Sequence, residues 1–407
     1  MDNLHNWKKR FIIIWTGQAL SLFSSAIVQL AIIWHLTETT KSAMVLAIAA
    51  VAGFLPQGIL GPFAGALIDR SDRKKIMIFS DLGIAAATMI LVITGYFIEI
   101  PLWLFMVILA VRSVGSAFHT PTLQAVTPSI VPADMITKCS GYSQTFLSVS
   151  YIFSPVAAAL LYSLISLNYI IFLDVAGALI GVLSIMLVSI PRLKLSEERK
   201  EQPVIKNLVK DTKEGLLEIK RHGFTSFTLL LVLFTLVVFP MGTLFPLMVF
   251  AYFEKTAFHA GVVESVWSVG MLAGSFILGL WGGTKNRVHM ISLAMAIVGI
   301  TTFFSGMLPK SGYIYFAALT AVMGLGVPFY NSHIAIFQSR IPEEFLGRVM
   351  AILNSLTVLV MPVGLALAGL FADKTGIANW FIMSGALMLL LAFITSALPS
   401  SRNADAG

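Results

Sequence analysis

Arg112 lies about ten residues inside an uninterrupted apolar run. A guanidinium at the centre of a bilayer costs roughly 2.5–3.5 kcal/mol even on the most lenient insertion scale, so it must face a polar cavity and pair with an acid. The acids within the apolar runs are Asp81, Asp174 and Glu264. A carboxyl desolvated in such a site has a raised pKa and can take up and release a proton, and proton coupling is the chemistry expected of Arg112 and these three acids. A purely structural ion pair is the plainer reading. His119 and His333 also fall within apolar runs. An imidazole there can relay a proton or simply satisfy a neighbouring polar group.

A second set of residues suits a ligand. Gln18, Ser21, Ser25 and Gln29 follow one another at helical spacing in the first run, so they form one stripe, and a polar stripe facing lipid would be unfavourable. It is expected to line a cavity. Phe239 and Phe245 stand beside Pro240 and Pro246, Tyr330 and Asn331 follow Pro328, and Tyr142 and Phe146 lie in the fifth run. Bent helices with aromatic walls offer area without strict hydrogen-bond rules, which suits a large amphiphilic molecule. Helix packing accounts for part of this set equally well.

These residues need helices to position them. The chain has 407 residues, 57% hydrophobic and 12% charged, against about 25% charged in soluble domains. Too little charge is left to cover a water-facing surface. At about 20 apolar residues per span, the sequence predicts twelve transmembrane helices, at roughly 11–36, 43–68, 76–98, 102–126, 137–164, 168–190, 224–250, 260–284, 288–308, 312–338, 349–372 and 378–398. Period-two alternation is absent, which argues against a β-barrel. Lys8, Lys9 and Arg10 lead straight into the first run without a small-residue cleavage pattern, so that run is expected to be retained as a span. With the N-terminus inside, 22 of the 27 basic residues fall on inside segments and four outside, leaving Arg112. That excess places both termini in the cytoplasm.

The polar stretch 191–222 divides the spans six and six. The expected organisation is an N-terminal six-helix bundle (1–190), a cytoplasmic linker (191–222) and a C-terminal bundle with a short tail (223–407). The two halves look duplicated. GSAFHT at 115–120 parallels GVPFYN at 326–331, VPADMITKC at 131–139 parallels IPEEFLGRV at 341–349, and SPVAAAL at 154–160 parallels MPVGLAL at 361–367. The order is the same and the offsets nearly constant. The fold class is therefore an all-α membrane protein of two pseudo-symmetric six-helix bundles, an arrangement that places a binding site near the midplane.

Several classes are disfavoured. Cys139 is the single cysteine, so no intrachain disulfide or cysteine metal site is expected. Paired haem-ligand histidines and a nucleotide P-loop are missing from the sequence. No metal, cofactor or enzymatic activity is expected. The basic residues lie in short loops between apolar runs, which suits membrane topology rather than nucleic acid.

The loop after the second run reads GALIDRSDRKK. Gly65 and Asp69 are four apart, so they share a helical face, where glycine allows close approach and the acid can meet a helix N-terminus or pair with Arg70 or Arg73. Here the chain resembles the major facilitator superfamily, whose loop between helices two and three is Gly-x-x-x-Asp-Arg-x-Gly-Arg-Arg/Lys. Gly65, Asp69, Arg70, Arg73 and Lys74 match, and Asp72 replaces the usual glycine. The counterpart GLWGGTKNR at 279–287 keeps Gly279 and Arg287 but has Gly283 for the aspartate. Drug antiporters of the superfamily carry a glycine-rich fifth helix. Gly141, Ser150, Ser154, Pro155, Ala158 and Ala159 reproduce its spacing with small residues. Arg112 matches the family's fourth-helix arginine. WTGQALSLFSSAIVQLAII, FHTPTLQAVTPSIVP, IIFLDVAGALI and VPFYNSHIAIFQ are similar to bacterial macrolide-efflux transporters of this superfamily.

The resemblance implies a loop that governs switching between inward- and outward-facing states. It also implies proton-driven export of a macrolide or similar lipophilic antibiotic by a monomer in a bacterial plasma membrane, with the drug, protons and the lipid bilayer as its partners. A transporter of some other small molecule, importing or exporting, is the alternative, and a non-transport membrane protein a more distant one.

Overall fold

The computed structural model describes residues 7–190, 204–284 and 286–397, and among them there is no strand. The first six spans are α1 (Trp7–Thr40), α2 (Ala43–Arg70), α3 (Arg73–Phe97), α4 (Leu102–Ile130), α5 (Ile136–Leu164) and α6 (Leu167–Met186). A shorter helix, α7 (Val204–Arg221), occupies the described part of the polar stretch. Then follow α8 (Thr225–Leu247), α9 (Ala257–Trp281), α10 (Arg287–Met307), α11 (Tyr313–Tyr330), α12 (His333–Arg340), α13 (Glu343–Thr375) and α14 (Ile377–Ala397). Twelve helical segments, α11 and α12 together supplying one, are long and apolar enough to cross a membrane. This is the number and order expected, because a helix is the one open-ended structure that satisfies its own backbone in lipid.

Proline shapes the irregular helices. Pro240 and Pro246 lie inside α8, and a π-helical turn, Met248–Tyr252, follows directly. Each proline removes a hydrogen bond from the preceding turn, so the helix bends. Pro328 lies near the end of α11, and the span breaks at Asn331 and Ser332 before α12 resumes.

The chain forms two compact units. One is Met1–Leu36 with Val51–Gln202, the other Thr37–Ala50 with Pro203–Gly407. The tip of the α1–α2 hairpin belongs to the second unit. The tip is held there by Asp373, near the end of α13. Its carboxylate accepts from the Ser42 hydroxyl at 2.7 Å and from the backbone N–H groups of Ala43 at 2.6 Å and Met44 at 3.1 Å. Those amides are the orphan donors at the start of α2, where negative charge is favoured. One turn earlier, Gly369 lets the helices cross so closely that a Cβ there would lie 2.9 Å from the Met44 Cα.

The second unit is built on rings. Phe245 packs against Trp267 at 5.4 Å, Phe316 at 6.1 Å and Phe381 at 6.4 Å between centroids. In α7, Ile219 and Glu218 are buried, and Glu214 pairs with Arg348 of α13 at 2.6 Å.

Candidate functional site

The site grows from three helices of the first unit. Residues seven apart on a helix lie two turns apart on one face. Gln18 and Ser25 on α1, Asp81 and Thr88 on α3, and Arg112 and His119 on α4 all have this spacing. The helices pack so that the six side chains meet as two rungs.

On the upper rung the Arg112 guanidinium pairs with Asp174 of α6. The same guanidinium donates to the Thr88 hydroxyl at 3.0 Å and to the Ser25 carbonyl at 3.3 Å. Asp174 also accepts from Thr88 at 2.8 Å and from the Ser25 hydroxyl. Both charges are buried, Asp174 completely. A buried pair is tolerated when further hydrogen bonds support it, and here Ser25 of α1 and Thr88 of α3 supply them, leaving only the Arg112 Nε without a partner among the described residues.

The lower rung is looser. His119 Nε2 lies 3.2 Å from Asp81 Oδ1, and Gln18 Nε2 donates to Asp81 Oδ2 at 3.4 Å. All three side chains are buried. Seven residues at about 1.5 Å each put this rung roughly 10 Å from the first, toward the end that carries the basic α2–α3 loop.

Both rungs border one cavity of about 100 Å³, lined by Ser21, Ser25 and Gln29 of α1, Asp81 of α3, and Arg112 and His119 of α4, among others. Water takes about 30 Å³ per molecule in the liquid, while drug-sized pockets run about 300–1,000 Å³. Ser21, Ser25 and Gln29 of the stripe expected to hold a drug thus line a chamber of water scale, shared with Arg112, Asp81 and His119. Sequence reasoning singled out Arg112, Asp81, Asp174 and His119 but missed Thr88, which binds both members of the ion pair. It also missed Ser116 and Thr120, which line the same chamber. The seven-residue spacings were the available signal.

The remaining expected residues are spread out. Gly65's surroundings and the side chains of Asp69 and Arg70 lie outside what the structure describes. Arg73 donates to the Ala125 carbonyl of α4 at 2.8 Å, and the Lys74 ammonium to the Met186 and Val188 carbonyls at 3.0 and 2.8 Å. Lys74 thereby caps the end of α6, where a cation complements the helix dipole. Asp72, the departure from the family loop, is the N-cap of α3, with φ −73 and its side chain accepting from the amides of Lys74 and Lys75. Its backbone needs no glycine.

On α5, Ser154, Pro155, Ala158 and Ala159 are buried as close packing requires, with Ser150 partly so. Gly141 is the exception: it is exposed, and a Cβ there would meet nothing within 4 Å. Tyr142 and Phe146 stand exposed beside it. Phe245 is sealed in the aromatic core of the second unit, so it packs helices instead of lining an open wall. Phe239 is partly buried and Asn331 exposed at the helix break. The Tyr330 hydroxyl is engaged with Thr235 and the Leu231 carbonyl, both at 3.2 Å. His333 sits 2.9 Å from the Tyr330 carbonyl, and Glu264 belongs to α9 of the second unit.

Known proteins share this plan. A "Macrolide efflux protein A" of Streptococcus pyogenes is 44% identical over 407 residues, all of both chains. The "Multidrug efflux pump Tap" of Mycolicibacterium fortuitum is 25% identical over 389 residues, 91% of each chain. A crystal structure of the peptide transporter POT superposes with a TM-score of 0.74 at 13% identity, covering 97% of this chain and 95% of that one, which speaks to the fold. The family model of the Major Facilitator Superfamily matches residues 14–258 and 241–405. With that match spanning nearly the whole chain and twelve membrane-length helices to carry it, this multi-pass membrane protein belongs to the Major Facilitator Superfamily.

Proposed function

We propose that the protein exports a lipophilic antibiotic, a macrolide in the first instance, in exchange for protons and by alternating access. The export half of the reading is supported by full-length similarity to a macrolide efflux protein. The coupling half is carried by one observation: two buried, titratable rungs border a single water-sized chamber.

The rungs have different duties. Arg112 and Asp174 are charge-balanced and tied by hydrogen bonds to Thr88 and Ser25, so they hold α1, α3, α4 and α6 in register. Asp81 and His119 have longer contacts and spare lone pairs, so we assign proton exchange to this rung. One proton added to this rung changes the charge of the chamber by one. An unbalanced buried charge costs several kcal/mol, and about 5.5 kcal/mol suffices to move a two-state equilibrium from 1:99 to 99:1. Protonation therefore selects between the two conformations, and the drug, bound outside this small chamber, moves in the opposite sense.

Arg73 and Lys74 tie the start of α3, capped by Asp72, to α4 and to the end of α6, so that the first unit moves as one body. Following the distribution of lysine and arginine, both termini lie in the cytoplasm of a bacterium, and the protein acts as a monomer.

The test is accumulation of radiolabelled erythromycin in cells with and without the protein, repeated with a protonophore. Lower accumulation that the protonophore abolishes is the expected result. Equal accumulation in both strains rules out macrolide export, and export that survives the protonophore rules out proton coupling.

A further inference from the structure

We propose that α9 carries a binding face for the ammonium group of a lipophilic amine, anchored by Glu264; the proposal rests on the drug-export reading above. Three faces of this helix can be told apart. Gly270 and Gly274 lie against the α11 backbone at Ala321 and Leu325, so that side is packed. Phe258, Val269, Leu272 and Phe276 are exposed and wholly apolar, as a lipid-facing side is. The third stripe is Glu264, Ser268, Met271 and Ser275, spaced four, three and four residues apart, which keeps them on one side of a helix. At about 100° per residue, Glu264 is turned roughly 120° from Phe258 and Phe276.

Glu264 differs from the other membrane acids. Asp174 and Asp81 are each engaged by side chains of neighbouring helices. Among the described residues, the Glu264 carboxylate has no hydrogen bond or ion pair, although it is partly buried. Seven residues from the start of α9 place it roughly 10 Å along the span, where a carboxylate is disfavoured without a partner. A cation delivered by the substrate satisfies that requirement.

The surroundings define which cation. Ser268 and Ser275 give their hydroxyl protons to the Glu264 and Met271 carbonyls at 3.0 and 2.8 Å, so neither hydroxyl proton is directed at the Glu264 carboxylate. Trp267, one turn on, is held at 5.4 Å by the ring of Phe245 and remains partly exposed. A carboxylate, an indole and a thioether suit an ammonium with one N–H and an otherwise apolar shell, through a charge-assisted hydrogen bond and cation–π contact. A hydrated inorganic cation would find too few oxygen ligands here. Macrolides bearing a dimethylamino sugar are such amines, and α9 thereby distinguishes them from neutral lactones of the same size.

Equilibrium binding to the full-length protein in lipid nanodiscs, where no proton gradient enters, tests the proposal. The probes are erythromycin and its N-demethyl-N-formyl derivative, whose amide is uncharged. Wild type is expected to bind the amine at least about tenfold more tightly than the amide, equivalent to about 1.4 kcal/mol. In Glu264→Gln the two affinities converge while amide binding stays within about twofold, showing that the variant is folded. Glu264→Asp keeps part of the preference. An unchanged preference in Glu264→Gln overturns the proposal, as does an equal loss of both probes, which would make Glu264 structural. If wild type binds neither probe, the macrolide reading itself falls and this proposal falls with it.

Discussion

At the scale of single residues, what matters is what each charge would lose without its partner. Removing one member of a buried ion pair costs about 3–5 kcal/mol because the other is left uncompensated, whereas removing both is far milder. Arg112→Ala is therefore expected to lower the thermal midpoint of the detergent-purified protein sharply, and adding Asp174→Ala should recover most of the loss. Export stays abolished in both variants. A double variant no more stable than the single one would contradict the buried-pair account. Asp81→Asn, by contrast, keeps a similar shape and the upper rung. It should fold normally and lose proton-driven export by at least about tenfold, while drug counterflow, which needs no net proton movement, persists. At the exposed edge the magnitudes reverse. The Lys310 ammonium, bonded to Glu254 at 2.6 Å, holds that carboxyl below its ordinary range. The pair is lost as pH falls through the lowered carboxylate value, but an exposed pair contributes little. Glu254→Gln should leave the thermal midpoint at pH 7 unchanged within error.

At the scale of elements, helix ends decide two features. Asp72 caps α3, and replacing such a cap by alanine costs about 1 kcal/mol while glycine costs only a few tenths. Chemical denaturation should accordingly rank Asp72→Ala below Asp72→Gly, with the glycine variant near wild type. Asp373 does the same for α2 from 330 residues away. Asp373→Ala frees the first turn of α2, and hydrogen exchange at Ala43 and Met44 should rise by about tenfold, with α13 itself unaffected. Unchanged protection at those amides would mean that Ser42 alone suffices as the cap.

At the scale of the whole molecule, the hairpin tip joins the two units by more than the linker. Residues 37–50 stay packed in the second unit while their flanking helices run into the first. Cleavage at a protease site placed between Pro191 and Pro203 should leave the two pieces co-purifying. Gly369→Leu, which drives a side chain into Met44, should weaken that association. Pieces that separate in the unmodified protein would show that the tip does not hold them.

The sequence by itself determined the number and order of spans, the doubled pattern and the need for Arg112 to meet an acid. These follow from local quantities: the length of apolar runs, the 3.6-residue period and the energy of a charge in lipid, all of which act within one helix. It also placed Gln18 and Ser25 on one stripe and predicted that the stripe would face a cavity. Helical periodicity fixes which residues share a face but not which helix that face will meet. Only the tertiary structure chose Asp174 over Asp81 as the arginine's partner, brought Thr88 between them and made the chamber too small for a drug. Packing alone withdrew Phe245 into an aromatic core, left Gly141 in the open and carried the α1–α2 tip to Asp373. Each of these contacts joins residues dozens to hundreds of positions apart, and no local preference in the chain encodes the meeting.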